Sequence, residues 1–317
     1  MRVCRFLEGD RIAAGFYFDD FVVDCDRALE SEGHAIAQPI SARLEETLEL
    51  LPHGRLYEEA QTTWERLASE PDLRRRLGQA TEETELLCPF PLPRKLLLLA
   101  GNYPEHVVEA GDIARERERT FPYVFLKPAS TTLNHPGADI AIPRISPDHI
   151  DWEVELAVVI GRAGKAIPEA QALDHVAGYT ILNDISDRRF RPNPSREERG
   201  RDRFFDWLHG KWHDGFAPAG PCILASTACR DPQALDLELR VNGAVKQRGL
   251  TSEQVFPVAA VIEFISSFVT LERGDVISTG TPSGVGKARG EHLRPGDEIE
   301  ASIGGIGTLR NRVVLGE

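Results

Sequence analysis

The 317-residue chain is 41% hydrophobic and 27% charged, an ordinary globular composition with enough length to bury a sizeable core. Its formal net charge of −13 argues against a nucleic-acid backbone or an anionic membrane as the main partner, and no apolar run approaches the ~20 residues that span a bilayer. The first residues lack a signal-peptide pattern and the five cysteines form no C-x-x-C pair, so we expect a cytoplasmic protein without a disulfide scaffold or zinc site.

The first 90 residues differ in texture from the rest and are predicted to form a small α+β domain. Arg2 to Cys25 contains short strand-like runs separated by turn signals, and two polar helical patterns follow over Ala42–Leu51 and Leu56–Leu77. Successive prolines in Cys88–Pro93 interrupt the hydrogen bonding of both helix and sheet. We therefore place a boundary there, with domains at residues 1–90 and 91–317.

The second predicted domain is rich in short apolar strands bounded by glycine and proline. The runs with strand length and character are Leu96–Ala100, Ala138–Ile142, Glu153–Ile160, Tyr179–Asn183, Leu235–Val241, Asp275–Ser278 and Glu298–Ile303. Helical patterns are fewer, and they open near Pro104 and cover Pro168–Asp174 and Pro257–Phe268. Many strands with few helices predict an α+β, mainly β fold with a curled or barrel-like core.

Two of these strands carry carboxylates in positions that suit a metal ion. Glu153 and Glu155 are two residues apart, so they point to the same face of a strand that continues into an apolar tail. Asp184 ends another apolar strand. Like charges in a partly buried site need a cation between them, and oxygen-only ligands suit Mg²⁺ or Mn²⁺. Alternation alone is more often the solvent face of a strand, so the residues leave both interpretations open.

The order of short motifs resembles the catalytic domain of the fumarylacetoacetate hydrolase family over roughly Leu96 to Val314. Seven segments follow the family's order, and together they are far more specific than any one of them: Gly101–His106, Phe125–Pro128, Asp151–Gly161, Asn183–Arg188, Gly210–Lys211 with Ala217–Pro221, Thr279–Gly286, and Gly304–Asn311. The resemblance implies a curled β-roll or barrel catalytic domain, a divalent cation, a small 2-oxo or diketo acid as substrate, and a homodimer.

Carried over position by position, the resemblance assigns roles to individual residues. The metal ligands are Glu153, Glu155 and Asp184, with Mg²⁺ or Mn²⁺ as the expected cation and Ca²⁺ able to replace it in crystals. His106 and Glu109 match a pair in which the histidine is the general base, and Lys211 matches the catalytic lysine. The positions that usually line the substrate pocket are Lys127, Arg188, Gln247 and Thr279.

Two departures from the family's pattern concern the pocket. Members of the fumarylacetoacetate-cleaving branch typically carry a fourth carboxylate where this chain has Gly101 and Asn102, so three protein ligands and several waters are expected. The loop between Arg188 and Lys211 is also long, and its first part, to Arg203, contains seven arginines. This stretch is either a solvated loop of ion pairs or a lid that attracts an anion.

The implied site is compatible with several reactions. A 2-oxo acid chelates Mg²⁺ through its carboxylate and the adjacent carbonyl, and the cation stabilises enolate charge. The leading hypothesis is hydrolysis of a carbon–carbon bond in an acylpyruvate-like 1,3-diketo acid, with His106 activating water and Lys211 stabilising the oxyanion. Alternatives are decarboxylation or isomerisation of a 2-hydroxy-diene dicarboxylate or 2-oxo acid, and dehydration of a sugar acid. A module that binds a ligand without turnover would need neither His106 nor Lys211.

Two hypotheses concern moving and associating parts. The segment from Asn102 to about Thr120 begins with a helix-start signal at Pro104 and carries many charges, so we expect either a lid that closes over the metal or a docked surface helix. The apolar pattern Pro257–Phe268 is a candidate contact of the homodimer.

Overall fold

The computed structural model describes residues 1–34, 39–40 and 46–316. The chain opens with an antiparallel meander of three strands, and the predicted turns lie between them. These strands are β1 (Arg2–Glu8), β2 (Arg11–Tyr17) and β3 (Phe21–Asp24). Helix α1 (Cys25–Ser31) follows at once, and the Asp24 side chain caps it by accepting the backbone N–H of Arg27.

The two helical patterns predicted before residue 80 have different outcomes. Leu56–Leu77 forms two helices, α2 (Tyr57–Ser69) and α3 (Pro71–Leu77), because Pro71 restricts the backbone of the residue before it to non-helical conformations. The pattern Ala42–Leu51 lies partly outside the described residues, and its described part contains a 3-10 turn at Glu46–Leu50. Two short strands close this region, β4 (Gly78–Ala80) and β5 (Leu86–Leu87).

The remaining strands and helices alternate irregularly to the end of the chain. The strands are β6 (Leu96–Ala100), β7 (Tyr123–Leu126), β8 (Leu133–Asn134), β9 (Asp139–Ile142), β10 (Ile150–Asp151), β11 (Val154–Ile160), β12 (Val176–Asn183), β13 (Ser186–Asp187), β14 (Ala217–Ala225), β15 (Asp236–Val241), β16 (Ala244–Leu250), β17 (Val276–Ser278), β18 (Glu298–Ile303) and β19 (Gly307–Leu315). The helices are α4 (Pro104–Glu109), α5 (Ala129–Thr132), α6 (Glu169–Ala172), α7 (Asp202–His209), α8 (Val258–Phe268) and α9 (Gly286–Arg289). All seven strands predicted after residue 95 are confirmed.

Most of the strands belong to two sheets. The larger has twelve strands in the order β4-β3-β2-β1-β14-β12-β11-β17-β6-β7, with β5 paired to β1 and β8 to β14. The smaller has five, in the order β16-β15-β18-β19-β9. The predicted mixed, mainly β character is confirmed, whereas both sheet orders are open, so no closed barrel is found in the described part of the chain.

The first strand connects the N-terminal region to the sheet of the second predicted domain. Val3 of β1 pairs with Ile223 of β14, so strands from both predicted domains share one continuous sheet. The division into domains at residues 1–90 and 91–317 stays a prediction.

Strand β14 was not predicted, although it lies near the middle of the large sheet. Its sequence contains Pro218 and Pro221, which cannot donate a backbone hydrogen bond and normally argue against a central strand. The pairing with β12 shifts register between Tyr179 and Ile181, and all nine residues of β14 are nevertheless buried. Burial on both faces therefore outweighs the local preference in this strand.

The length and hydrophobicity of a helix decide whether it could span a membrane. None of the helices in the described ranges is long and apolar enough to cross a bilayer.

The site is positioned by three neighbouring strands at the centre of the large sheet. Strand β11 lies between β12 and β17 and runs antiparallel to both, with Val154 opposite Asn183 and Ala157 opposite Ser278. The start of β11 therefore lies beside the ends of β12 and β17. Side chains at those three strand ends converge at one edge of the sheet.

Candidate metal centre and active-site cavity

Three carboxylates meet at this sheet edge. Glu153 directly precedes β11, Glu155 is its second residue, and Asp184 directly follows β12. Backbone and side-chain bonds join the two strand ends, because Glu153 N–H donates to Asn183 Oδ1 at 2.9 Å and Asp184 N–H donates to the Glu153 carbonyl at 2.9 Å. One oxygen from each carboxylate lies within 4.8 Å of the others, and no similar cluster occurs elsewhere in the described ranges.

The environment of Glu155 fits a divalent cation. Its side chain is buried, and its Oε2 accepts the Ser278 hydroxyl at 2.6 Å and the Gly280 N–H at 3.1 Å. Burial, together with the charges of Asp184 and Glu153, raises the pKa of Glu155 well above its ordinary value. A hard cation bound by all three oxygens would remove this repulsion, which is the donor chemistry that Mg²⁺ and Mn²⁺ prefer.

Two buried lysines supply positive charge to the same carboxylates. Lys211 Nζ donates to Glu153 Oε2 at 2.6 Å and to Asp184 Oδ2 at 2.5 Å. Lys127 Nζ lies 2.5 Å from Asp184 Oδ1 and donates to the carbonyls of Ile185 and Phe216. Burial lowers the pKa of Lys127. Burial also opposes the charge of Lys211, but attraction by Asp184 and Glu153 raises its pKa, so this lysine is held in its charged form.

Arg188 links the carboxylate cluster to a fourth acid, Asp151. The guanidinium donates to Asp151 Oδ2 at 2.7 Å and to Glu153 Oε1. Burial alone would raise the pKa of Glu153, but Arg188, Lys211 and His106 hold it well below its ordinary value. These neighbours favour the ionised form of Glu153, which is the form that a metal ligand requires.

Asp151 also belongs to this site, although no role was predicted for it from the sequence. Its carboxylate accepts the backbone N–H groups of Trp152, Gly286 and Lys287 as well as Arg188. It anchors Arg188 and the start of α9, and it is not part of the three-carboxylate cluster. The sequence contained a sign of this role, because Asp151 begins the alternating acidic pattern that continues with Glu153 and Glu155.

Two residues predicted to line the substrate pocket are instead bonded inside the sheet. The amide of Gln247 accepts the Val154 N–H and donates to Thr281 Oγ1 and the Pro282 carbonyl. The hydroxyl of Thr279 donates to the Leu156 carbonyl. Of the four residues predicted to line the substrate pocket, Arg188 lines the cavity beside this sheet edge and Lys127, Gln247 and Thr279 do not, so their part in substrate binding stays a prediction.

A cavity of about 1020 Å³ opens beside this sheet edge, and helix α4 forms part of its wall. His106 and Glu109 both line it, and their roles as base and partner stay a prediction. His106 Nδ1 lies 3.3 Å from Glu109 Oε2, and Gly284 N–H donates to the same carboxylate at 2.9 Å. Burial would raise the pKa of Glu109, but His106 and the Gly284 N–H hold it below its ordinary value. An ionised Glu109 fixes the orientation of the imidazole.

The charged segment after Asn102 is mostly irregular. Helix α4 ends at Glu109, and the next regular element is one 3-10 turn at Arg117–Arg119. The helix is docked in this structure, because Glu105 accepts the Ser283 hydroxyl at 3.0 Å and Glu109 accepts the Gly284 N–H. These contacts support the docked-helix alternative, and closure of a lid stays a prediction.

Some arginines of the arginine-rich loop form ion pairs with acidic residues, and others do not. Arg196 binds Asp202 and Asp206, and Arg199 binds Asp202, as expected of a solvated loop. The loop also contains the unpredicted helix α7, whose Trp207 packs edge-on against Phe125. These two rings lie 5.9 and 5.4 Å from Lys211 Nζ and shield it from solvent.

Comparison with known proteins agrees with this geometry. The model of the family described as fumarylacetoacetate (FAA) hydrolase, C-terminal, matches residues 95–314. The chain is 39% identical over 234 residues to oxaloacetate tautomerase YisK of Bacillus subtilis, which covers 73% of each chain. It is 39% identical over 223 residues to 2,4-didehydro-3-deoxy-L-rhamnonate hydrolase of a Sphingomonas species, covering 69% of this chain and 73% of the relative.

A solved structure extends the likeness to the whole chain. Maleylpyruvate hydrolase from Sphingobium sp. SYK-6, in complex with manganese(II) and pyruvate, superposes with a TM-score of 0.71 at 26% identity and full coverage of both chains. The relatives thus include a hydrolase that binds a metal ion and an enzyme that catalyses tautomerisation.

Proposed function

The chain belongs to the fumarylacetoacetate hydrolase family, and we propose that it hydrolyses a carbon–carbon bond in a small acylpyruvate-like 1,3-diketo acid with the help of a divalent cation. The observation that carries this proposal is the pairing of two groups at one cavity. Arg188 lines the cavity and binds one member of the buried set of three carboxylates, and a histidine with an ionised carboxylate partner lines the same cavity.

Glu153, Glu155 and Asp184 would hold the cation, which we propose to be Mg²⁺ or Mn²⁺. When bound, such an ion polarises a carbonyl oxygen and stabilises the negative charge of an enolate. The donor set is oxygen-only, and the resemblance to a structure containing manganese(II) and pyruvate supports the assignment.

His106 is the proposed general base. Its ring is oriented by Glu109, which leaves Nε2 as the nitrogen able to accept a proton from a water molecule or from a substrate carbon. Arg188 lines the same cavity as His106 and donates to Glu153. This link supports the proposal that proton transfer and the carboxylate cluster belong to one site.

We propose that Lys211 stabilises the negative charge that develops on the substrate. It is buried, charged and fixed between Glu153 and Asp184, and its other neighbours are the rings of Phe125 and Trp207. A charge held in such a dry setting acts more strongly on an oxyanion than one in water.

Keto–enol tautomerisation of a 2-oxo acid is the second candidate, favoured by the identity to the Bacillus subtilis tautomerase. It needs no attack by water, because His106 would only move a proton to or from the substrate carbon. Acetylpyruvate and oxaloacetate, each with and without Mg²⁺, separate the two candidates. Metal-dependent release of acetate and pyruvate from acetylpyruvate supports hydrolysis. Interconversion of oxaloacetate tautomers without cleavage of either compound would replace hydrolysis by tautomerisation.

The metal site itself is tested by replacing one ligand. Asp184→Asn keeps the shape of the side chain and removes its charge, so we expect Mn²⁺ affinity to fall by at least about tenfold in calorimetry. The matched control is Asp187→Asn, three residues further along, since Asp187 lies outside the carboxylate cluster. Equal Mn²⁺ affinity of Asp184→Asn and the parent protein would contradict the assignment.

A homodimer is also proposed. An aromatic surface cluster supports it, because Phe264 of helix α8 packs against Phe121 and Phe268, and the last two are more than half exposed. Exposed apolar patches of this kind commonly mark an interface.

A further inference from the structure

Asn102 connects three segments of the chain that meet at the active-site cavity. Its side chain is buried, and its amide Nδ2 donates to the carbonyls of Thr279 at 2.8 Å and Phe256 at 3.1 Å. Its Oδ1 accepts the Phe256 N–H at 2.8 Å, and its backbone carbonyl accepts the Val255 N–H at 2.9 Å. Val255 and Phe256 line the cavity, so one residue ties this part of the wall and the end of β17 to the start of α4.

The first of the three segments carries the proposed general base. Asn102 directly precedes Tyr103, which is the N-cap residue of α4, and His106 lies in the first turn of that helix. Helix α4 has six residues and none of them is buried. A helix this short takes its position from contacts with the rest of the fold. The placement of His106 therefore depends on how the start of α4 is held.

The second segment carries a proposed metal ligand on its neighbouring strand. Gly280, the residue after Thr279, donates its N–H to Glu155 Oε2 at 3.1 Å, and Ser278 donates its hydroxyl to the same oxygen at 2.6 Å. Gly280 has a φ of +88°, and a Cβ at this position would lie 3.0 Å from the Cβ of Asn102. The two backbones therefore pass in close contact, and the amide of Asn102 joins them beside Glu155.

A weaker connection runs beside this one. Tyr103 is also buried, and its hydroxyl accepts Gln254 Nε2 at 3.3 Å. The same Nε2 donates to Thr279 Oγ1 at 2.8 Å. Tyr103 thus reaches the end of β17 through an intervening side chain and one long bond, whereas Asn102 reaches it directly. Asn102 is the shorter link between α4 and the strand end.

The surroundings of the side chain require an amide at position 102. The Phe256 N–H identifies which atom of the amide is the oxygen, and Nδ2 then faces two carbonyl oxygens. A carboxylate in the same place would present an oxygen without a proton to both carbonyls. The position at which the fumarylacetoacetate-cleaving branch typically has a carboxylate is therefore used here to bind backbone groups.

We infer that Asn102 is a positioning residue of the reaction, which fixes His106 relative to the proposed metal ligands. This inference rests on the proposed function, because that function supplies the roles of His106 and of the carboxylates. Without the amide, the start of α4 can shift against Thr279 while both segments stay folded. A misplacement of about 1 Å is enough to slow a reaction step by about 10²-fold.

Asn102→Asp tests the inference. It keeps the size of the side chain and the acceptor of the Phe256 N–H, and it removes the donor to the two carbonyls. With Mn²⁺ and whichever of acetylpyruvate and oxaloacetate the parent turns over, we expect kcat to fall about tenfold or more. The KM and the Mn²⁺ affinity should change by less than about threefold, since the carboxylate cluster is intact. Asn102→Ala adds no buried charge and gives the same comparison where Asn102→Asp does not fold.

Asn311 provides a matched control. Its amide is also buried and donates to two backbone carbonyls, those of His135 and Ala138, at 2.9 Å each, but it does not line the cavity. Asn311→Asp and Asn311→Ala should lower the stability in urea to a similar extent and keep the parent's kcat. An equal fall in kcat in the Asn311 variants would mean that lost stability explains the effect, and it would overturn the inference.

A second comparison shows whether Asn102 acts through His106. In the His106→Ala background, Asn102→Asp should lower kcat by less than about twofold, because the base that it positions is absent. The same fold loss in both backgrounds would overturn the positioning role. Tighter Mn²⁺ binding by Asn102→Asp would place this side chain among the metal ligands and would overturn it as well.

The parent protein separates failure of this inference from failure of the proposed function. No turnover of acetylpyruvate or oxaloacetate by the parent with Mn²⁺ would overturn the proposed function together with the inference. Turnover by the parent with an unchanged kcat in the Asn102 variants would overturn the positioning role alone.

Discussion

The ammonium of Lys211 lies 2.5 Å from Oδ2 of Asp184, so a predicted catalytic lysine directly contacts a predicted metal ligand. Both side chains are buried, and Lys211 also reaches Glu153. The lysine therefore stabilises the carboxylate cluster of the metal-free protein, in addition to the catalytic role that the resemblance implies. A bound cation and the ammonium of Lys211 would neutralise the same carboxylates. The contribution of each to the free energy of unfolding therefore depends on whether the other is present.

Replacing this lysine should destabilise the metal-free protein and spare metal binding. In Lys211→Met two buried carboxylates lose their partner, and we expect the free energy of unfolding to fall by about 3 kcal/mol. Saturating Mn²⁺ should restore most of that loss, because the ion now neutralises the same oxygens. Urea unfolding with and without Mn²⁺ measures both effects.

A lysine in an ordinary ion pair provides the control. Lys246 binds Glu291 in a pair that is partly exposed to solvent, so Lys246→Met should change the free energy of unfolding by less than about 1 kcal/mol, with or without metal. If Lys211→Met were as stable as this control without metal, the stabilising role of Lys211 would be refuted.

His106 should matter for turnover and little for metal binding. It lines the cavity and lies outside the three-carboxylate cluster, so His106→Ala is expected to lower kcat at least about 10²-fold. Mn²⁺ affinity should change little. Steady-state kinetics on acetylpyruvate and oxaloacetate, with Mn²⁺ titration of the same samples, gives both numbers.

The neighbouring Val108 offers a control on the same helix. It is 62% exposed and does not line the cavity, so Val108→Ala should keep the parent's kcat. Unchanged turnover in His106→Ala would remove this histidine from the mechanism.

The anchoring of α4 should depend on pH through Glu109. The pKa of Glu109 is lowered in the folded protein, against burial, by His106 and the Gly284 N–H. A carboxylate with a lowered folded pKa contributes stability above its unfolded value, and that contribution is lost as pH falls toward the folded pKa. The difference in Tm between the parent and Glu109→Gln should therefore be largest near pH 7 and shrink below about pH 4.5.

A Tm difference between the parent and Glu109→Gln that stays constant from pH 7 to pH 3.5 would mean that the charge of Glu109 does not hold helix α4 in place. Glu118→Gln is the matched control, since Glu118 makes no side-chain bond among the described residues and its replacement should have no effect at either pH.

The convergence of the three proposed metal ligands could be predicted from sequence because strand geometry is regular. Glu153 and Glu155 share a face through their spacing of two, and Asp184 lies beside them because β11 and β12 are neighbours in the sheet. Strand geometry could not predict the surroundings of Gln247 and Thr279. Both side chains form hydrogen bonds inside the sheet, and their partners, Val154 and Leu156, are distant in the sequence.

Among the structural elements that escaped prediction, two did so for different physical reasons. Strand β14 contains two prolines, and only its burial between β1 and β12 makes it a strand. Helix α7 is hidden in a run of charges, and its Trp207 has no partner until Phe125 comes close in the fold.

Association of two chains should depend on the exposed aromatic cluster. Light scattering at micromolar concentration is expected to give twice the mass of one chain. The double variant Phe121→Ser, Phe268→Ser should shift the protein toward the monomer, because both rings pack on Phe264 and are more than half exposed. Leu92→Ser, at a side chain that is 64% exposed, is the control. A monomeric mass of the parent would contradict the homodimer.

Ligand binding should slow hydrogen exchange in residues 102–120. This segment has only one short helix and a single 3-10 turn. Asn102 and Arg117 anchor its two ends, to Thr279 and Glu169. Between Pro104 and Glu116, the side-chain anchors to other described parts of the chain are Glu105 to Ser283 and Glu109 to Gly284. So few anchors leave it at the low-stability end of the structure, from which lids are drawn. Oxalate with Mg²⁺ should bring His106 over the ligand and increase protection there.

The contacts of Ser283 distinguish a closing lid from a permanently docked helix. Ser283→Ala removes the hydroxyl that Glu105 accepts, so exchange of residues 102–112 should become faster in the ligand-free protein. If the segment closes on the ligand, oxalate with Mg²⁺ should return much of that protection, because the bound ligand adds contacts that do not involve Ser283. Protection that is high in the ligand-free parent and unchanged by oxalate would mean that α4 is fixed. In that case His106 is already in its working position without substrate, and closure of the cavity cannot contribute to the choice of substrate.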